Sequence, residues 1–397
     1  MRKEKGNVTQ RNLKPTPSVI DTNSYYPLME KLDLNEMRIT FMGSRPYPPQ
    51  RRQACTCIMV ELGTGQRFFF DFGPGCLRNI IGMRVPIQSI NDIFITHLHV
   101  DHFGDLPYLF TFSPHNGRYT PLRVSGPSGR TFEYGTKAMI AGMKQMTAWN
   151  MDSIGIMPVG DGGEILVNEF DWADDNGLCY NEGGVQIRHW RRSHTKDGAS
   201  AYRLDWDGPS FVWTGDGRPD ELTIKYSRGV DLFITEAMLE DQHLVSSKWG
   251  IGMDIVNFLM DTHHTPHYSA GYMMKQINPI AGVITHFEDD PLTISKMFEG
   301  VRVHWNGLLF TGFDLTVINL TKESIWVREG VVTEKGENPL GDSDRLFTEK
   351  NNNATHPHPK HLREDIQDQK TRDTEINPKK YYPTGAYRKL VTRFPEK

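Results

Sequence analysis

Ile95-Thr96-His97-Leu98-His99-Val100-Asp101-His102-Phe103-Gly104-Asp105 sets three imidazoles and a carboxylate within six residues, directly after the run Asp92-Ile93-Phe94-Ile95-Thr96. A solvated face has no use for that density of histidine, and an apolar core could not pair it. His97 and His99 alternate, as an extended loop requires if both rings are to converge on one cation. Asp101 and His102 then turn to a second cation alongside. Zinc takes imidazole nitrogen and carboxylate oxygen in such mixtures, and catalytic sites leave a position open for water. The stretch reads as a metal site at the end of a strand.

The chain around it has 397 residues and 38% hydrophobic content, enough for a globular core with polar extensions. It holds no run of about eighteen apolar residues, so no transmembrane helix is expected. Met1-Arg2-Lys3-Glu4-Lys5-Gly6-Asn7 leads into no apolar stretch, so no secretory signal is expected. Four cysteines do not make a disulfide framework in a chain this long, and a cytoplasmic protein is expected. Cys55 and Cys57, on one face of a strand, read as buried core thiols in preference to a redox or soft-metal pair. The net charge of −4 gives no global basic field of the kind nucleic-acid binders carry, although Arg191-Arg192 with Lys196 could form a local patch.

Residues 1–36 are polar and proline-punctuated, and they are expected to form an N-terminal arm. Strand-like alternation begins at Met37–Gly43 and continues at Thr56–Leu62 and Arg67–Phe72, with a turn at Gly63-Thr64-Gly65. Helices are expected at Cys76–Gly82, Leu106–Phe112 and Thr131–Trp149, the last with a methionine stripe (Met139, Met143, Met146) that reads as packing. Leu122–Pro127 reads as strand then turn, and residues 150–182 as irregular. A second strand-rich half follows at Val185–Arg188, Ser200–Asp205, Ser210–Thr214, Asp231–Thr235, Ala281–His286, Val301–Phe310 and Thr316–Glu329. Strands mixed with helices in both halves predict an α/β (α+β) sandwich, two mixed sheets inside and helices outside. One domain over residues 37–329 is expected, with a polar extension over 330–397. Tyr381-Tyr382-Pro383 and Tyr387–Phe394 suggest that this extension docks on the domain or on a second subunit.

Four ligands do not complete two sites, and later strand ends supply candidates. His194 lies in Arg191-Arg192-Ser193-His194-Thr195. Asp216 lies in Val212-Trp213-Thr214-Gly215-Asp216-Gly217, and His286 ends the apolar run Ala281-Gly282-Val283-Ile284-Thr285. With His97-Leu98-His99-Val100-Asp101-His102, this order resembles the metallo-β-lactamase superfamily from about residue 37 to 329. The resemblance implies an αββα sandwich with a dinuclear site at one edge of the sheets. It places His97, His99 and His194 on the first metal, Asp101, His102 and His286 on the second, and Asp216 between them. His99 in place of glutamate points away from the di-iron branch, and His102 and Asp216 point away from the true β-lactamases. Two zinc ions per chain are the implied cofactors, with manganese or iron as alternatives.

Within the superfamily the chain is most similar to the ribonuclease Z and arylsulfatase-like branch. Ser125-Gly126-Pro127-Ser128-Gly129 resembles its Gly-Pro turn, Ile234-Thr235-Glu236-Ala237 its His-Glu-Ala-Thr motif, and His264-Thr265-Pro266 its later histidine element. Thr235 stands where that branch has histidine, and Gly217 where threonine is usual. Only Gly160-Asp161-Gly162-Gly163 offers a candidate tRNA-clamping arm, and it reads as an ordinary loop.

Two cations about 3.5–4 Å apart lower the pKa of a bridging water, so a metal-bridging hydroxide can serve as nucleophile. Asp101, His264 and Glu236 are the catalytic candidates. His264 is the proton donor, kept protonated by Glu236, with His263 or His267 as alternatives. The leading reading is a zinc-dependent hydrolase of a small ester, phosphodiester or sulfate ester. The alternative is a ribonuclease Z-like 3′-tRNA processing endonuclease, with tRNA as partner, and the third is a non-catalytic member of the fold. No membrane partner is expected, and a homodimer fits the branch. Trp149, Trp213, Arg218 and Tyr268 are candidates to line the substrate pocket.

Overall fold

A computed structural model describes residues 23–27, 29–155, 159–332 and 374–383. Among them lie two sheets. The nine-stranded sheet runs, edge to edge, Ser24–Tyr25, Ile325–Gly330, Thr316–Leu320, Met37–Gly43, Cys57–Leu62, Arg67–Phe70, Asp92–Phe94, Leu122–Pro127 and Ile165–Phe170. The seven-stranded sheet runs Leu308–Thr311, Ala281–Thr285, Leu232–Glu236, Phe211–Trp213, Ser200–Asp205, Val185–Arg191 and Gly177–Glu182.

Alternation along each strand decides which layer receives each side chain. Phe68 and Phe70 point between the sheets, where they join Ile58, Phe94, Tyr202 and Trp213, while Phe69 points out beneath the helices with Ile93, Leu106 and Ile140. Leu232 and Ile234 likewise face inward, and Phe233 packs outward with Met273, Met274 and Met297. Three apolar layers therefore separate helix, sheet, sheet and helix. This is the predicted αββα sandwich.

Each sheet has a block of parallel strands. In one, Arg67–Phe70, Asp92–Phe94, Leu122–Pro127 and Ile165–Phe170 are parallel neighbours. In the other, Phe211–Trp213, Leu232–Glu236, Ala281–Thr285 and Leu308–Thr311 are. Parallel strands bring their carboxyl ends to one edge, where loops gather functional groups.

Three expected elements differ, each for a physical reason. Residues 150–182 contain the strands Ile165–Phe170 and Gly177–Glu182; both lie at sheet edges, where solvated positions such as Leu166 and Asn181 blur the alternation. Val301–Phe310 is not one strand. A helix over Pro291–Arg302, capped by Asp290 accepting from Thr293 N at 3.1 Å, carries its buried stripe through Met297 and Val301, and the strand starts only at Leu308. The single helix expected over Thr131–Trp149 divides into a 3₁₀ turn at Phe132–Tyr134 and helices at Thr136–Met146 and Ala148–Ile154. Gly135 is extended, and Thr147 turns its hydroxyl back to Met143 O at 2.8 Å. Met143 is buried in that region, but Met146 faces solvent.

The sheet also reaches into the segment expected to be an arm. Ser24–Tyr25 adds an edge strand, because Arg38 donates to the Tyr25 hydroxyl at 3.0 Å and its guanidinium sits 4.6 Å from that ring. Residues 374–383 pack on the domain with Ile376 and Tyr381 fully buried, whereas Tyr387–Phe394 lies outside the described residues. No helix among the described residues is long and apolar enough to cross a membrane.

Candidate metal centre

Every candidate ligand leaves a strand at the edge shared by the two parallel blocks, apart from His194, which follows the antiparallel strand Val185–Arg191. His97 and His99 occupy the extended exit from Asp92–Phe94. The chain then turns into a short helix, Val100–Phe103, whose second and third residues are Asp101 and His102. Asp216 follows Phe211–Trp213, preceded by Gly215 in the left-handed region (φ 57°). A Cβ on Gly215 would meet Thr96 Cβ at 2.7 Å, so only glycine lets these two loops touch. His286 follows Ala281–Thr285 with φ 67°, held there as its N–H donates to Ser44 O at 2.9 Å.

The ligand atoms form two nests. His97 Nε2 and His194 Nε2 lie 3.0 and 3.1 Å from His99 Nδ1, and His97 Nε2 lies 4.0 Å from Asp216 Oδ2. In the second nest, His102 Nε2 is 3.5 Å from Asp101 Oδ2 and 3.4 Å from Asp216 Oδ2. His286 Nε2 is 3.4 Å from Asp101 Oδ2 and 3.5 Å from Asp216 Oδ1. Asp216 thus belongs to both nests, whose donor atoms each fall within 4.8 Å of one another.

Hydrogen bonds behind the rings aim their lone pairs into the nests. His194 Nδ1 donates to His263 O at 2.7 Å, and His102 Nδ1 donates to Asp71 Oδ2 at 2.9 Å, so each Nε2 faces its nest with a lone pair available to a cation. Burial pushes His97, His99 and His194 below the ordinary histidine range, so they present neutral nitrogens. Burial acts the same way on His102, but Asp216, Asp71 and Asp101 outweigh it and raise that group, so the corner demands positive charge. Asp101 Oδ1, Asp216 Oδ1 and His102 Nε2 are buried with no hydrogen-bond partner. Such an orphaned set of oxygens and an imidazole nitrogen is costly alone and suits a hard or borderline divalent cation.

Beside the second nest sits a buried carboxylate–imidazole pair. Glu236 is fully buried at the end of its strand, and Oε1 accepts from Gly217 N at 3.1 Å, Thr265 N at 3.0 Å and His264 Nδ1 at 3.3 Å. His264 Nδ1 also lies 3.8 Å from Asp216 Oδ2. Burial alone would lower the pKa of His264, but Glu236, with Asp216 and Asp101 beyond it, raises it above the ordinary histidine value. His263 stacks over His99 at 6.3 Å between ring centroids. His267 turns away: its Nδ1 faces Glu240 N at 3.3 Å, and burial pushes its pKa down to about 3.

The proposed pocket-lining residues are not brought to the cleft beside His264 and His286, which is walled by Pro46, Met238, Leu239, Trp249 and Phe287. Trp149 projects into solvent, 82% exposed. Trp213 points inward between the sheets, because strand alternation sends it there, and donates to Asp71 Oδ2 at 2.9 Å. Arg218 is buried behind the His264 loop, donating to His264 O at 3.0 Å, and Tyr268 packs on His267. Gly160–Gly163 forms a 3₁₀ turn whose Gly162 carbonyl accepts from buried Arg118 at 2.8 Å.

Asp71 escaped sequence reading. It takes a left-handed backbone (φ 61°) and accepts from Thr96 N at 2.8 Å as well as from His102 and Trp213. Its signal was available in Asp71-Phe72-Gly73, an acidic residue in an otherwise apolar strand exit.

Comparison with known proteins agrees with this construction. The family model described as metallo-beta-lactamase superfamily matches residues 51–171. A ribonuclease Z of Methanosarcina acetivorans is 32% identical over 303 residues, spanning 67% of this chain and 95% of that protein. One from Archaeoglobus fulgidus is 23% identical over 283 residues, 63% of this chain and 86% of that protein. Among solved structures, the metallo-beta-lactamase fold protein YhfI from Bacillus subtilis superposes with a TM-score of 0.53 at 17% identity, covering 74% of this chain and 99% of that one. The short form of human tRNase Z superposes with a TM-score of 0.51 at 19% identity, covering 71% and 98%. The match at 32% identity over 95% of the Methanosarcina protein carries more weight than either superposition, and with it the chain belongs to the metallo-β-lactamase superfamily, in its ribonuclease Z branch, as a metal-dependent hydrolase.

Proposed function

We propose that this chain is a ribonuclease Z-like endonuclease that hydrolyses a phosphodiester in 3′-extended precursor tRNA. The reading rests above all on the similarity to ribonuclease Z over 95% of that protein's length, and it displaces the small-ester hydrolase that the mildly acidic balance, the lack of a clamping arm and the departures at Thr235 and Gly217 favour. The buried Glu236–His264 pair beside the nests supports it, since an alkoxide leaving group needs a proton. Arg51 and Arg52 add support, as both are exposed on the loop that carries Pro46 to the cleft.

His97, His99 and His194 would hold one zinc ion, Asp101, His102 and His286 a second, and Asp216 both. Bound there, divalent cations supply Lewis acidity toward a phosphoryl oxygen and lower the pKa of water. Glu236 holds the His264 ring by Nδ1–H, leaving Nε2 to deliver a proton to the departing oxygen. Asp71 and the His263 carbonyl keep His102 and His194 in the coordinating tautomer. Thr265 N–H and Gly217 N–H fix the Glu236 carboxylate between the loops bearing Asp216 and His264.

Zinc-loaded protein should cut a 3′-extended precursor tRNA beside the discriminator base, with Asp101→Ala inactive. The rate at subsaturating RNA should fall steeply with salt, as phosphate contacts require. No cutting by protein with zinc content verified would reject the nuclease reading and return the question to small phosphodiesters and esters.

A further inference from the structure

The C-terminal residues 374–383 meet two loops of the metal centre from behind and reach a third through Arg218. Glu375 pairs with Asp220 in an antiparallel bridge, and Ile376 N donates to Pro219 O at 2.9 Å, both just beyond Asp216. Ser193, the neighbour of His194, donates its hydroxyl to Glu375 Oε1. Tyr381 is fully buried, its carbonyl accepting from His304 Nε2 at 2.6 Å. Its hydroxyl accepts from Arg218 Nη2 at 3.0 Å, and Nη1 of the same guanidinium donates to the carbonyls of Met260 and His264.

Arg218 is thus the crosspiece between the C-terminal segment and residues 260–266, the last turn of the helix Met253–Thr262 and the loop that follows it. That loop places two functional groups: the His264 ring, and the His263 carbonyl that accepts from His194 Nδ1. A guanidinium is a planar fork whose donors fix partners in direction as well as distance. Held by Tyr381 on one arm and by the loop carbonyls on the other, Arg218 has little freedom to turn. Without the phenol hydroxyl, one arm of a fully buried cation loses its partner, and the guanidinium can swing or draw in water.

We propose that residues 374–383 are a working part of the active site: Tyr381, through Arg218, is a positioning residue that holds residues 260–266 so that His264 faces the leaving group. The catalytic consequence rests on the nuclease reading, whereas the positioning itself does not. An unactivated leaving group depends on that alignment; an activated nitrophenolate, which departs without a proton, does not.

The test is Tyr381→Phe in the full-length chain, a change that keeps the ring in the core and removes only the hydroxyl. Hydrogen exchange read by mass spectrometry should show amides of 260–266 exchanging about tenfold faster, with the strand Ala281–Thr285 unchanged. Zinc content should stay at the wild-type level. kcat on precursor tRNA should fall about tenfold at constant KM, while turnover of bis-nitrophenyl phosphate changes less than twofold. Unchanged exchange at 260–266 overturns the positioning role. Equal losses on the two substrates overturn the link to His264, because the metal nests would then be the part disturbed. Wild-type protein that cuts no RNA rejects the nuclease reading, and the exchange experiment still decides the positioning role.

Discussion

The two nests of the metal centre share Asp216 but are built differently. The nest of His97, His99 and His194 is three imidazoles made neutral by burial, one of them oriented by a backbone carbonyl. That of Asp101, His102 and His286 gathers carboxylates around an imidazole whose back is held by another carboxylate, Asp71. The first attracts a cation by lone pairs already desolvated, the second by unbalanced negative charge. Removing a charge should therefore damage the second far more than the first.

Asp216→Ala touches both nests and should have the largest effect. Metal analysis should show both equivalents lost, and hydrolysis should fall on the order of 10³-fold or more, because several kcal/mol of transition-state stabilisation goes with the metals. Asp101→Ala breaks only the carboxylate-rich nest: one metal should remain and nearly all turnover should disappear. Metal-replete Asp101→Ala at the wild-type rate would rule out a dinuclear mechanism.

His264→Ala leaves both nests intact and should cost about 10²–10⁴-fold on unactivated leaving groups. Equal losses on nitrophenyl substrates would remove it from the role of acid. Asp71→Asn removes the carboxylate behind His102 while an amide oxygen can still accept from Thr96 N–H, so affinity for one of two metals should drop about 10–100-fold while the other changes far less. Equal weakening of both in a metal titration would show that the nests are not separable.

The smallest effect lies outside both. His267, with its folded pKa lowered to about 3, stays neutral in the native protein, whereas the unfolded chain takes up a proton below about 6.5. Its contribution to stability is present above about pH 6.5 and is lost as pH falls toward 3, at up to about 1.4 kcal/mol per pH unit. His267→Gln retains an acceptor for Glu240 N–H. Its unfolding free energy should vary less steeply between pH 6.5 and 4.5 than that of wild type, measured by urea titration. Parallel pH profiles would assign the acid sensitivity elsewhere.

Legibility follows the distance over which each feature is encoded. His97, His99, Asp101 and His102 could be read together because one loop carries them, and the strand over Arg67–Phe70 could be read because its period is local. His194, Asp216, His286, Glu236 and His264 were named from short motifs, but nothing in those motifs states that Glu236 is buried or that its Oε1 collects three donors. The edge strands at Ile165–Phe170 and Gly177–Glu182 were missed because half-solvated strands carry a weak pattern.

By itself the sequence determined the sandwich class and the residue types of a metal-dependent hydrolase, since periodicity and clustered ligands are properties of neighbours along the chain. Only the tertiary structure decided that Asp71 stands behind His102, 31 residues away, and that Tyr381 reaches Arg218 across 163. The carboxyl ends of parallel strands and a returning C-terminal segment create those contacts, and such proximity has no counterpart in the order of residues.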